Sequence, residues 1–324
     1  MSEHLPQAVV ALDVGGTAVK SLVVDRDGVL HRASTPTRAS DGPEQSFAVV
    51  LQAVEAALAA VPPTHTAVGV GLAVPGTVDE NRGVCVHSEN LGWTDLPVRD
   101  LVAARTGLPV GFGHDVRAGG LAEWRLGAGR GAEDLAYLSV GTGIAAALVL
   151  GGRPVVAGGY VGEVGHGGTT DGDPCACGGR GCPETFASAA AIGRRYTRLT
   201  GTPVDGARGV LDRTLQGDRT AELVWAEAVD GLGVLVSDIV RVTGASRVVV
   251  GGGLVHAGDA LLDPLREHVR RRLTVHRLPE IVPAVLGGTA GAWGSVLLGW
   301  RAAGRGDAAT VERYAELHRA RVTS

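Results

Sequence analysis

Apolar residues run along this chain in short blocks broken by glycine or acidic turns. Val9 to Leu12 reads as a buried-type strand, Asp13-Val14-Gly15-Gly16-Thr17 as a turn, and Val19 to Val24 as a second strand. Asp25-Arg26-Asp27-Gly28 then turns the chain into Val29-Leu30, so the order is strand, glycine turn, strand, polar turn, strand. Leu135 to Val140, Gly141-Thr142-Gly143, Ile144 to Leu150, Gly151-Gly152 and Pro154 to Ala157 repeat that order. The copies lie much farther apart than the ~50 residues of a solenoid repeat, which predicts two similar α/β lobes.

Each copy leads into alternating helix and strand signals. Glu44 to Ala60 has helical periodicity and stops before Pro62-Pro63, Ala67 to Leu72 is strand-like, and Leu108 to Phe112 is a short strand feeding a helix that starts near Asp115. Farther on, Ala187 to Leu199, Ala221 to Val242 and Leu261 to Leu273 read as helices. Arg247 to Val250 reads as a strand stopped by Gly251-Gly252-Gly253, and Val282 to Leu286 with Thr289 to Arg301 closes the second lobe. The expected division is a smaller lobe over 1–117, a larger one over 118–301, and a tail over 302–324. The tail starts Gly/Ala/Arg-rich, ends in a short charged helix, and is expected to be a solvated appendage.

Composition sharpens this picture. Of 324 residues, 50 are glycine, roughly twice the usual ~7%, while aromatics reach 4%. The glycines show no three-residue period, so they belong in turns and close backbone approaches, where phosphates and small ligands bind. Net charge is -4 with no basic block, which argues against a nucleic-acid surface. Lys20 is the sole lysine, and that excludes a Walker loop. No secretory h-region follows the polar start, and no stretch nears the ~18 apolar residues of a membrane span, so the expectation is a soluble cytoplasmic protein. Cys175, Cys177 and Cys182 cluster as metal ligands do in a reducing compartment.

Chemistry concentrates in a few segments. The turn over Asp13, Gly15, Gly16 and Thr17 can offer backbone N–H groups and a hydroxyl to phosphate, with Asp13 available to Mg²⁺, although such a turn can also be ordinary. Gly141, Thr142 and Gly143 supply a second turn of the kind. Gly141 to Ala146 also fits a dinucleotide fingerprint, but an apolar run follows directly where that fingerprint needs a helix. Asp115 at a helix start is either a base kept ionised by the helix N-terminus or a plain N-cap. His166, Cys175, Cys177 and Cys182 form a Cys₃His set suited to a closed tetrahedral Zn²⁺ site, which would place Glu163 and Glu184 as acceptors for sugar-like hydroxyls. Asn90 lies in a loop before a helix near Leu96 and can bind a hydroxyl. Gly252 and Gly253 admit a flat base or ribose, or form a bare helix-entry turn.

Together these segments resemble the ROK family of sugar kinases and sugar-responsive repressors, within the actin-like, hexokinase-like ATPase superfamily, over residues 8 to 300. The stretch from Glu163 through His166, Cys175, Cys177 and Cys182 to Glu184 carries the most specific likeness. The resemblance implies a two-lobed actin-like (ribonuclease H-like) fold with duplicated βββαβα lobes and a zinc loop over 163–184. It implies that Gly15, Gly16, Thr17, Gly141, Thr142 and Gly143 grip ATP phosphates, Asp13 works with Mg²⁺, and Gly252 and Gly253 lie by the adenosine. Asn90, His114, Asp115, Glu163, His166 and Glu184 would hold the sugar, His166 would also ligate structural Zn²⁺, and Asp115 would accept the proton of the sugar 6-hydroxyl. A homodimer or higher homo-oligomer is expected.

Three departures from the family pattern stand out. His114 replaces the usual Asn before the catalytic Asp, which puts the sugar near C3 in question. A 3-amino hexose such as kanosamine stands beside plain glucose or an N-acetylhexosamine as substrate. Ala145-Ala146-Ala147 follow the second turn where glycines are usual. Only twelve residues precede Asp13, too few for the repressors' DNA-binding module of ~70 to 90 residues. A non-catalytic sugar sensor is the reading of a different class, and the presence of Asp13, Thr17, Asp115 and Thr142 weighs toward catalysis.

Overall fold

The computed structural model describes residues 5–168 and 171–322. The chain runs through β1 (Gln7–Val14), β2 (Ala18–Asp25), β3 (Gly28–Pro36), α1 (Pro43–Ala59) and β4 (Thr66–Val74). A small antiparallel sheet of β5 (Thr77–Asp79), β6 (Val84–Ser88) and β7 (Trp93–Leu96) follows, then α2 (Val98–Thr106), β8 (Val110–His114) and α3 (Asp115–Leu126). Next come β9 (Leu135–Val140), β10 (Ile144–Leu150), β11 (Arg153–Pro154), α4 (Glu184–Ala187), α5 (Ala189–Thr200), α6 (Gly206–Leu215) and α7 (Arg219–Thr243). The series closes with β12 (Arg247–Gly251), α8 (Asp259–Arg272), β13 (Glu280–Pro283), α9 (Ala290–Ala302) and α10 (Ala308–Val322).

Two compact units result, one built from residues 5–127, 156–161 and 289–322, the other from 128–155 and 162–288. Their main sheets have the same topology. The first runs β3-β2-β1-β4-β8 and the second β11-β10-β9-β12-β13, each an antiparallel meander extended by two parallel strands. The duplication expected from the repeated strand pattern is therefore present at the level of strand order.

In the first unit, alternation along β4 assigns the faces of the sheet. Val70, Leu72 and Val74 join Val10, Leu12 and Phe112 in a core covered by α1 and α2. Gly69 and Gly71 point to the opposite face, where α9 lies so close that a Cβ on Gly71 would come 1.7 Å from the Ser295 carbonyl oxygen. The second unit packs α5, α7 and α8 around its own sheet, with Leu138, Leu232, Val250 and Leu265 fully enclosed.

Several sequence expectations need correction. The unit boundaries are not contiguous, because α9 completes the sheet of the first unit and α3 is not divided at residue 117. Ser188 interrupts the predicted helix from Ala187, its extended backbone letting its hydroxyl cap the Ala191 N–H at 3.1 Å. Strands β5 to β7 and helix α6 were not anticipated. The C-terminal segment is no solvated appendage, since Tyr314 and Ala315 of α10 are fully buried. The Tyr314 hydroxyl accepts from Trp300 Nε1 at 2.8 Å and donates to the Asp25 carbonyl. Too few apolar positions mark that contact for periodicity to reveal it.

Candidate active site

In the first unit, β1 delivers Asp13 to the end of the strand, opposite Lys20 in the β1–β2 register. The hairpin turn is held from behind. The Gly15 N–H donates to the Ala18 carbonyl at 2.9 Å, the Thr37 hydroxyl donates to the Gly15 carbonyl at 2.6 Å, and the Thr37 N–H donates to the Thr17 carbonyl at 3.0 Å. Buried Thr37, which no local pattern marks, thus fixes the turn while Gly16 and Thr17 stay exposed. A Cβ on Gly16 would lie 3.5 Å from Asn90 Cβ, which puts Asn90, in the β6–β7 turn, beside the phosphate-type hairpin.

β1, β4 and β8 are parallel, so Asp13 and Asp115 follow the same edge of one sheet, the usual ligand edge of such sheets. Asp115 is the first residue of α3 and not its N-cap. His114 caps the helix, its Nδ1 accepting from the Arg117 N–H at 3.4 Å, while Asp115 Oδ1 accepts from the Val116 N–H at 2.7 Å. The plain N-cap alternative for Asp115 therefore fails. Burial pushes Asp115 up to about 6, with the Val116 N–H and Arg117 opposing the rise. Asp13 also rises to about 6, through burial and the nearby Asp115 charge, with Lys20 opposing.

Three further residues were invisible to sequence reasoning. Gly291, in the first turn of α9, lies on Asp13, and a Cβ there would come 2.6 Å from Oδ1. Arg117 is buried and donates to Glu80 Oε1 at 2.7 Å and to the carbonyls of Val78, Gly159 and Val161 at 3.0 to 3.3 Å. Glu80 Oε1 also accepts from the His114 N–H at 3.3 Å. This buried pair fixes both the start of α3 and the segment 156–161 that leads along the chain to Glu163. An Arg followed through the sequence as a surface charge gives no hint of it.

In the second unit, Gly141 to Gly143 joins β9 directly to β10, which removes the dinucleotide fingerprint for lack of a helix. The Gly141 carbonyl accepts from the Ala189 N–H at 2.9 Å, and Thr142 is exposed. Gly252, at φ 78°, fits against the Val140 carbonyl, where a Cβ would come within 2.4 Å, and Gly253 lies near Gly141. The second hairpin and the Gly252-Gly253 turn are thereby neighbours. Glu184 Oε2 accepts from the Ile144 N–H at 2.8 Å, and Glu163 shares a turn with His166, whose N–H donates to its carbonyl at 3.0 Å.

His166, Cys175, Cys177 and Cys182 bring one ligand atom each to within 4.8 Å of one another. Cys177 Sγ and Cys182 Sγ are 3.7 Å apart, and Cys175 Sγ and His166 Nδ1 are 3.5 Å apart. Zn–S bonds of about 2.3 Å and Zn–N bonds of about 2.0 Å in a tetrahedron give edges of about 3.5 to 3.8 Å, so the donor set is compatible with zinc. Contact through Nδ1 leaves His166 Nε2 available to another partner.

Duplicated five-stranded sheets, each with a glycine hairpin after its first strand, define an α/β protein of the actin-like ATPase class. Residues 9–301 match the ROK family, and the chain belongs to it. The glucokinase of Halalkalibacterium halodurans is 31% identical over 90% of this chain and 93% of its own. The structure of the ROK hexokinase of Thermus thermophilus aligns with a TM-score of 0.79 at 34% identity, covering 91% of this chain and 98% of that one. A ROK family glucokinase of Streptomyces griseus, solved with glucose and AMPPNP, aligns with a TM-score of 0.76 at 29% identity, covering 91% and 99%. Among the described residues, no helix is long and apolar enough to cross a membrane.

Proposed function

We propose that this protein is an ATP-dependent hexose kinase that transfers the γ-phosphoryl group to a sugar 6-hydroxyl, with Asp115 as the base. The observation that carries this reading is the environment of Asp115. Its carboxylate stands at the ligand edge of the sheet with Oδ1 tied to the Val116 N–H, and burial sets its pKa near 6. Such a carboxylate is ionised at neutral pH yet basic enough to accept a proton as the sugar oxygen bonds to phosphorus and ADP leaves.

The exposed residues Gly16, Thr17 and Thr142, in turns shaped by Gly15, Gly141 and Gly143, would bind phosphate oxygens, and Gly252 and Gly253 would take the adenosine. Asn90, Asp115, Glu163, His166 and Glu184 would hold the sugar, with His114 buried behind Asp115. Asp13 would hold Mg²⁺, which when bound neutralises developing phosphate charge. His166, Cys175, Cys177 and Cys182 would hold a structural Zn²⁺ that pins the loop bearing Glu163 and Glu184. Zinc absent from active protein in a metal analysis would refute this last assignment.

Sugar identity turns on His114. Its Nδ1 accepts from the Arg117 N–H and its Nε2 lies 3.3 Å from Asp115 Oδ1, an arrangement that places the ring proton on Nε2. His114 then orients Asp115, and a sugar amine at C3 would rely on Glu163. The substrate we propose is a glucose-type hexose, with kanosamine as the variant that this replacement opens. A coupled ATP assay over glucose, kanosamine, N-acetylglucosamine and N-acetylmannosamine tests the proposal, which expects turnover of at least one. Sugar binding with no phosphorylation of any would mark a sensor, and a preference for glucose above ~tenfold would remove kanosamine.

A further inference from the structure

We infer that Gly143 controls sugar affinity although it lies in a phosphate-type turn, because its missing side chain is what lets Glu184 take its place. An ideal Cβ on Gly143 would fall 2.4 Å from Glu184 Oε2 and 3.2 Å from its carboxyl carbon. That same Oε2 accepts from the N–H of Ile144, the next residue along, at 2.8 Å. One oxygen of the carboxylate is therefore committed to the start of β10, and Oε1 is the oxygen presented to a sugar hydroxyl. The backbone is not the reason for glycine here. Gly143 carries no left-handed φ, in contrast to Gly252 at 78°, and only the Glu184 carboxylate crowds its Cβ position. The crowded group is the far end of a flexible side chain, so alanine at 143 moves Glu184 at small cost to folding.

Glu184 begins α4 at the end of the zinc-type loop, and its N–H donates to the Gly165 carbonyl at 3.2 Å. The carboxylate thus joins the loop proposed to read the sugar to the hairpin proposed to grip phosphate. A sugar that bonds to Oε1 restrains the hairpin through Oε2, and by reciprocity a nucleotide that orders the hairpin restrains the sugar ligand. This inference rests on the proposed role of Glu184 as a sugar ligand.

Calorimetric titration of the full-length protein with the preferred sugar of the panel, and separately with AMPPNP·Mg²⁺, tests it without needing turnover. Gly143→Ala is expected to raise the sugar Kd at least ~tenfold and the AMPPNP Kd less than ~twofold. A sugar Kd for Gly143→Ala within ~twofold of wild type, or an AMPPNP Kd that rises as much as the sugar's, would overturn the inference. Should Gly143→Ala misfold, the double variant Gly143→Ala/Glu184→Asp, whose shorter carboxylate arm relieves the crowding, is compared with Glu184→Asp alone; equal sugar Kd values within ~twofold are expected, and a further rise of ~tenfold would overturn the inference. Wild type that binds no sugar of the panel would sink the proposed function itself, an outcome separate from those above.

Discussion

Asp115 and Asp13 carry charge where the fold disfavours it, and the roles proposed for them pull against stability. Each has a folded pKa near 6 against 3.8 in the free chain, so the folded state binds protons more tightly. Their contribution to stability is present below about pH 4 and is lost as pH rises through 6. The gap of about 2 units caps the penalty for Asp115 near ~3 kcal/mol, and its partial exposure brings it to about 1–2 kcal/mol. Asp115→Asn is expected to lower kcat at least ~100-fold, to keep sugar binding, and to melt at a higher temperature than wild type near pH 7, a gain that vanishes by about pH 4. Retention of more than ~1% of activity would remove Asp115 as base. Wild-type kcat/KM is expected to fall as pH drops below about 6, where Asp115, the proposed base, becomes protonated. Asp115 could be chosen from the sequence because it follows an apolar run and opens an amphipathic one. Thr37, Gly291 and Arg117 could not, because each acts on a segment distant in the chain and leaves no local pattern.

At the scale of elements, glycine spacing on β4 matters more than its total number. Gly69 and Gly71 alternate with Val70 and Leu72, and this period of two marks one face for side chains and the other for a helix backbone. Gly71→Ala would drive a methyl into the Ser295 carbonyl, where backbone must move on both sides. The expected cost is on the order of 3 kcal/mol, a fall in Tm of roughly 6–12 °C by calorimetry. A drop under ~2 °C would show that α9 stands off the sheet. The strand itself was legible from its apolar run, as were the paired hairpins. The destination of α9 was not, since its glycines and apolar residues suit either lobe and only three-dimensional packing selects the first.

The molecule as a whole includes a last helix beyond the segment that matches the family, and that helix is structural. Tyr314 links Trp300 of α9 to the Asp25 carbonyl, and the Trp293 and Tyr314 ring centroids are 5.2 Å apart. Tyr314→Ala removes a fully buried ring and leaves the Trp300 N–H without this acceptor, for a loss of about 3–5 kcal/mol. Tryptophan emission of the variant is expected to shift to the red, and melting is expected well below wild type. Unchanged emission and melting would return the segment to the status of an appendage.

The wide separation of β4 and α9 along the chain also has a consequence for how the protein is made. Ribosomes add ~5–20 residues per second, so roughly 10–40 s pass between the appearance of β4 and the appearance of the helix that covers its second face. Meanwhile α1 and α2 are already at hand to cover Val70, Leu72 and Phe112, the adhesive side of the sheet. What waits bare for α9 on β4 and β8 includes Gly69, Gly71 and Gly111, residues with almost no apolar side chain to offer another nascent chain. The glycines that allow the helix to dock late thus also keep their stretch of the face free of apolar side chains, while Val9 and Ala11 of β1 are what α9 comes to cover beside them.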